Sequence, residues 1–171
     1  MAGLVAMSMA SVNAMAAAGN SGKVTFTGEV VDSPCNLAPG QDGTDVKVDF
    51  GQLSMSQLNA GVKTSESFVL KLQNCALTTT AQGTTTTKTA SITFNSTDVD
   101  STNALLTTHG TATGLGIGIN GYTFGTEAGL KGVMDGNNEL RFTATAQKAA
   151  AATAVTAGDF TAATNFVISY K

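Results

Sequence analysis

A chain of 171 residues with a formal net charge of −3 and only 12% charged residues is one domain's worth of sequence, long enough to bury a core. Few basic residues and an acidic balance exclude an electrostatic footprint for nucleic acid. Thr, Val and Phe at strand-like spacing, many Gly and no Trp favour an all-β reading over helices.

Residues 2–16 are uncharged, apolar and small, and Ala14-Met15-Ala16 fits a small-residue cleavage site that makes Ala17 the mature N-terminus. The run is too short to span a bilayer. No Lys or Arg precedes Lys23, so residues 1–16 read as a clipped export signal, against the alternative of a disordered apolar tail. Next comes an extension, residues 17–31, ahead of a body at 32–171. Within it, Gly22-Lys-Val-Thr-Phe-Thr-Gly-Glu-Val-Val31 alternates as a strand, with Val24, Phe26, Gly28 and Val30 on one face. An apolar face of this kind must be buried, and a strand at a chain end can pair with a neighbour's sheet edge instead of its own.

Ser33-Pro34-Cys35-Asn36-Leu37 continues extended, and Ala38 to Gly43 is a turn cluster. Val46-Lys-Val-Asp-Phe50 alternates strictly and predicts a strand. Ser54 to Leu58 predicts one helical turn before Gly61. Ser67 to Cys75 predicts a strand with Phe68, Leu70 and Leu72 inward. Thr78 to Thr87 is a low-complexity Thr-rich loop, and Thr89 to Phe94 a further strand. Leu115 to Ile119 and Tyr122 to Phe124 flank Asn120-Gly121 as a hairpin. Asp135 to Asn138 is a turn opening a strand over Glu139–Ala146, and Ala149 to Ala154 is a loop despite its helical propensity. The last element, Phe160 to Tyr170, sets Phe160, Ala162, Phe166, Ile168 and Tyr170 on one face and leaves no sequence for a closing strand. The pattern suggests an immunoglobulin-type β-sandwich.

The two cysteines, Cys35 and Cys75, behind an export signal predict a disulfide, the alternative being two buried free thiols. Closing the loop between them is worth roughly 4 kcal/mol on the chain-entropy estimate. Neither has a CxxC partner or a nearby His, which removes redox and zinc readings. His109, the single histidine, sits in a loop and reads as solvent-exposed; Asp98 and Asp100 read as solvated. Asn95-Ser96-Thr97 matches a glycosylation acceptor, a weak signal alone. No motif supports an enzyme, a cofactor or a metal.

Several segments in order resemble the major pilins of chaperone–usher fimbriae, closest to the rod subunits of P pili and more loosely to those of type 1 pili. They are Gly22 through Cys35, Phe50-Gly-Gln-Leu53, Leu70-Lys-Leu-Gln-Asn-Cys75, Asp135-Gly-Asn-Asn138, Gly158-Asp-Phe-Thr-Ala162 and Asn165-Phe-Val-Ile-Ser-Tyr170. Lys171 departs from the Gln usual there. The resemblance implies an incomplete immunoglobulin-like fold lacking its last strand and completed by a donor strand. Val24, Phe26, Gly28 and Val30 would then be the donor face. Phe166, Ile168 and Tyr170 would help line the acceptor groove, and the Lys171 carboxylate would anchor to a basic chaperone. Implied partners are identical pilin subunits, a periplasmic chaperone and an outer-membrane usher, on an export route through the periplasm to a cell-surface fimbrium that supports adhesion. Alternatives are a minor adaptor or terminator pilin, or a secreted binding module that folds its own N-terminal strand into its sheet.

Overall fold

The computed structural model describes Asn20 and residues 22–171; the export signal over 1–16, its cleavage site and the extension's start at Ala17 lie outside the described residues. The chain divides into two units at Val31/Asp32. In the first, residues 22–31 carry no regular secondary structure, so the expected strand is absent. Alternation makes a segment fit for a sheet, but only a partner edge for its N–H and C=O groups turns it into a strand.

In the second unit the strands run in chain order β1 (Asn36–Leu37), β2 (Thr64–Cys75), β3 (Thr78–Ala81), β4 (Thr84–Thr87), β5 (Ala90–Asn95), β6 (Leu106–Thr107) and β7 (His109–Gly110). β8 (Leu115–Ile119), β9 (Ala128–Gly129), β10 (Gly136–Lys148), β11 (Phe160–Thr161) and β12 (Asn165–Tyr170) follow, with one short helix, α1 (Met55–Asn59), ahead of β2. β1-β2-β10-β8-β6 forms one sheet and β12-β5-β9 another, with β11-β7 and β3-β4 as separate pairs. The pairings are antiparallel.

Period-two burial joins the sheets into an immunoglobulin-like sandwich. Leu70 and Leu72 of β2, Phe142 and Ala144 of β10 and Ile92 and Phe94 of β5 share one buried cluster. Phe68 stacks on Phe142 with ring centroids 5.2 Å apart, and Phe94 meets Phe142 edge-on at 5.4 Å, the favoured offset and T-shaped arrangements. β8 is buried on both faces. Leu115, Ile117 and Ile119 point into the cluster, while Gly116 and Gly118 face Leu105, whose side chain lies 3.0 and 3.1 Å from where a Cβ would stand. Glycine lets that leucine cover the strand.

Cys35 and Cys75 form the predicted disulfide, tying the segment before β1 to the end of β2 next to the Asn36–Gln73 pair. Ser54 caps α1 by accepting from the Gln57 amide, and the Ala149–Ala154 segment is irregular, both as expected.

Three expectations fail for one reason, that pattern does not say where edges lie, and a fourth because its strands carry no apolar period. Val46–Phe50 is extended but joins no ladder among the described residues. Asn120-Gly121 does turn, through a 3.0 Å bond from the Tyr122 amide to Ile119 O, yet Tyr122–Phe124 is no strand. β8 already has β10 on one edge and β6 on the other, so the return crosses over and bonds Gly125 N–H to Phe94 O at 2.7 Å. The final element breaks at Ala162–Thr164 into β11, paired with β7, and β12, paired with β5. The Thr-rich stretch is a hairpin rather than a loop, with Thr80 and Thr85 hydroxyls 3.0 Å apart.

The carboxylates also do more than meet water. Asp98 pairs with His109, whose side chain is exposed as expected. Asp100 accepts from the Ala104 and Leu105 amides at 2.9 and 3.2 Å; burial pushes its carboxyl up, but bonds from Leu105, Thr102 and Ala104 outweigh that and leave it lowered. Asp135 receives the Leu77 amide at 2.5 Å and the Thr78 amide at 3.1 Å. The Thr78 hydroxyl, then these amides, hold its carboxyl below the ordinary 3.8. A carboxyl lowered on folding adds stability above its ordinary value and loses it as the pH falls through the folded one. An NMR titration of the Asp135 carboxyl is thus expected to give a midpoint below that of an unstructured Asp; a midpoint at or above it would remove Asp135 as the pin of the hairpin.

Candidate strand-acceptor groove

Between the segment at residues 44–50, which leaves a turn at Thr44 and Asp45, and the start of β12 lies a groove of about 540 Å³. One wall carries Val46, Val48 and Phe50, the other Ala162 to Phe166, and Phe68, Leu70, Phe94, Leu106, Ile117 and Ile119 form the floor. The floor is hydrocarbon, so water held against it is weakly bound and readily displaced by an apolar side chain, while Thr44, Asp45, Thr164 and Asn165 add polar groups to the lining.

Both walls present free backbone. Among the described residues β12 is an edge strand, paired only with β5. Thr89 and Lys171 exchange both bonds, at 2.7 and 3.0 Å. In an antiparallel ladder such pairs alternate with pairs whose N–H and C=O point away. Asn165, Val167 and Ser169 therefore bond β5, and Phe166, Ile168 and Tyr170, opposite Phe94, Ile92 and Ala90, direct their backbone groups to the open edge. On the other wall the Gln41 amide holds Lys47, donating to its O at 2.7 Å and accepting its N–H at 2.8 Å. That clamp turns the Lys47 backbone away from the groove, and by alternation the groups of Val46 and Val48 face into it. They find no protein partner among the described residues. Two parallel rows of unpaired donors and acceptors flanking an apolar trough are what one inserted strand satisfies.

Phe166, Ile168 and Tyr170 lie on the inner side of β12, packed against the core. Phe166 sits directly on the groove. Burial pushes the Tyr170 hydroxyl above its ordinary value against an opposing bond with Ser33. Lys171 sends its ammonium to Glu127, 2.7 and 2.8 Å from the two carboxylate oxygens. The proposed donor residues Val24, Phe26 and Val30 are 75, 90 and 101% exposed, and nothing lies within 4 Å of where a Gly28 Cβ would stand. Apolar side chains that open to water are unsatisfied as they are. Val46, Val48 and Phe50 were legible only as a strand. Their role as a wall depends on Gln41, which carries no sequence signal.

A family model described as fimbrial protein matches residues 24–171. The chain is 38% identical to the Pap fimbrial major pilin protein of Escherichia coli, over 99% of this chain and 97% of that one. It is also 38% identical to the fimbria A protein of Serratia marcescens, over 88% and 84%. Among solved structures it superposes on a chaperone–usher pilus with TM-score 0.75, 34% identity and coverage of 89% and 96%. The P pilus rod subunit PapA gives TM-score 0.68 at 28% identity, covering 81% of this chain and all of that one.

Proposed function

The chain belongs to the fimbrial protein family, and from that premise we propose that its groove receives residues 22–31 of a second copy, so that subunits join by exchanged strands. It is a major pilin, a structural subunit of a fimbria. One observation carries the assembly reading: the groove's apolar floor and free edges match a segment of the same chain with one apolar face and no ladder of its own. Burying Val24, Phe26 and Val30 contributes at most about 1.5–3 kcal/mol each, and each ladder bond about 0.5–1.5 kcal/mol net. The sum over one strand links subunits without a covalent bond. Gly28 suits a point where the floor leaves no room for a side chain.

An open edge of this kind pairs with whatever strand it meets. A periplasmic chaperone that lends a strand, anchored on the Lys171 carboxylate, protects it until an outer-membrane usher delivers the next subunit, and the fibre is displayed outside the cell. A labelled peptide of residues 22–31 is expected to bind the full chain and to add a strand beside Phe166–Tyr170. A chain that ignores the peptide because another of its own strands already fills that edge would overturn the reading. Heated, unreduced extracts should show ladders of subunits; a lone monomer band would favour the self-complemented module instead.

A further inference from the structure

The Lys171 ammonium reaches across β5 to the Glu127 carboxylate next to β9. β9 pairs with β5 through Ile92–Ala128 and Ser91–Gly129, which sets Glu127 just before β9 and β12 on the opposite side of β5. Ile92 and Phe94 face the core at 0 and 2% exposure, so Ser91 faces outward by alternation. It is nevertheless only 9% exposed. Its hydroxyl donates to Glu127 and lies 3.4 Å from Ser169 O, while Lys171 Nζ sits 2.7 and 2.8 Å from the Glu127 oxygens. One carboxylate thus gathers β12, β5 and β9 across the outer face, behind the edge that faces the groove.

We propose that Glu127 is a positioning residue for strand acceptance, holding Lys171 and Ser91 so that the end of β12 is set before a donor arrives. The inference rests on the acceptor reading above. β12 is held by a ladder on one side only, and strand ends at such edges open locally at low cost. The Phe166, Ile168 and Tyr170 backbone must stay in line for an incoming strand to bond all three. An edge held in advance spares the donor the cost of ordering it, which is how preorganisation raises affinity. The bonds from Lys171, then Ser91, also lower the Glu127 carboxyl below its ordinary value, so the clamp stays charged at neutral pH.

The test compares the full chain with Glu127→Gln, Lys171→Gln and the exchanged pair Glu127→Lys with Lys171→Glu. The readouts are amide hydrogen exchange and binding of a labelled peptide of residues 22–31. Each single change is expected to speed exchange at Ser169 and Lys171 about two- to fivefold and to weaken the peptide by a similar factor, the range for exposed ion pairs. Exchange at Leu70 in β2 should stay unchanged, and the exchanged pair should restore both readouts. Unaltered exchange in the single variants, an increase shared by Leu70, or no recovery in the exchanged pair would overturn the proposal. A wild-type chain that fails to bind the peptide would overturn the acceptor reading instead, and the exchange measurement would still decide whether the clamp exists.

Discussion

Phe26→Asp is expected to abolish fibres while leaving the subunit folded. The Phe26 side chain is 90% exposed, so a carboxylate there costs the isolated chain little. Seated in a trough floored by Phe94, Leu70 and Ile117, the same carboxylate loses its water and meets no cation, a cost of several kcal/mol. Gly28→Leu tests the same junction by size. Open space surrounds Gly28 in the free chain, but a leucine there would need room that a packed floor does not offer. Both variants should accumulate as folded subunits and be missing from sheared surface material viewed by electron microscopy. The controls are Lys23→Ala and Thr25→Ala on the opposite face, which should polymerise. Normal fibres from Phe26→Asp would show that residues 22–31 donate nothing. Loss of folded subunit would place the segment within its own sandwich.

The body was legible wherever alternation and a paired edge coincide. β2, β5, β8 and β10 lie where Phe68-Val-Leu-Lys-Leu72, Ile92-Thr-Phe94, Leu115-Gly-Ile-Gly-Ile119 and Leu140-Arg-Phe142 place them, because each strand has a ladder partner and one face in the core. Val46-Lys-Val-Asp-Phe50 has the same pattern and no ladder, and Gly22–Val31 likewise. Period two reports a face that wants burial; it is silent on whether a backbone partner belongs to the same chain. Those two failures fall on the groove wall and on the segment proposed to fill the groove. The Thr-rich hairpin was hidden differently, since all eight strand positions are exposed and no apolar period betrays it. Its order comes from cross-strand Thr pairs and from Asp135, distant in sequence. The Lys171–Glu127–Ser91 cluster joins the residue after β12, the residue before β9 and β5 itself, and no local spacing encodes such a meeting.

Phe94→Ala is expected to cost about 3–5 kcal/mol of stability, the range for deleting a buried aromatic ring. Phe94 is 2% exposed and is the one β5 ring that meets both sheets. It lies edge-on to Tyr122 at 5.3 Å and to Phe142 at 5.4 Å, and 6.3 Å from Phe166 on β12. Removing it deletes contacts across the sandwich, and the neighbours cannot all move inward, because Phe142 is fixed in register with Phe68 and Phe166 with β5 itself. The site is also groove floor, so the vacated volume is continuous with the trough. Denaturant unfolding of the variant should shift the midpoint without a change in slope. If the floor shapes the fit of the inserted strand, the variant should also bind the peptide of residues 22–31 more weakly than its lost stability accounts for, and Gly28→Leu should recover part of that binding by filling the new space. A loss below about 1 kcal/mol would mean that the floor collapses freely and that the groove's shape owes little to this ring.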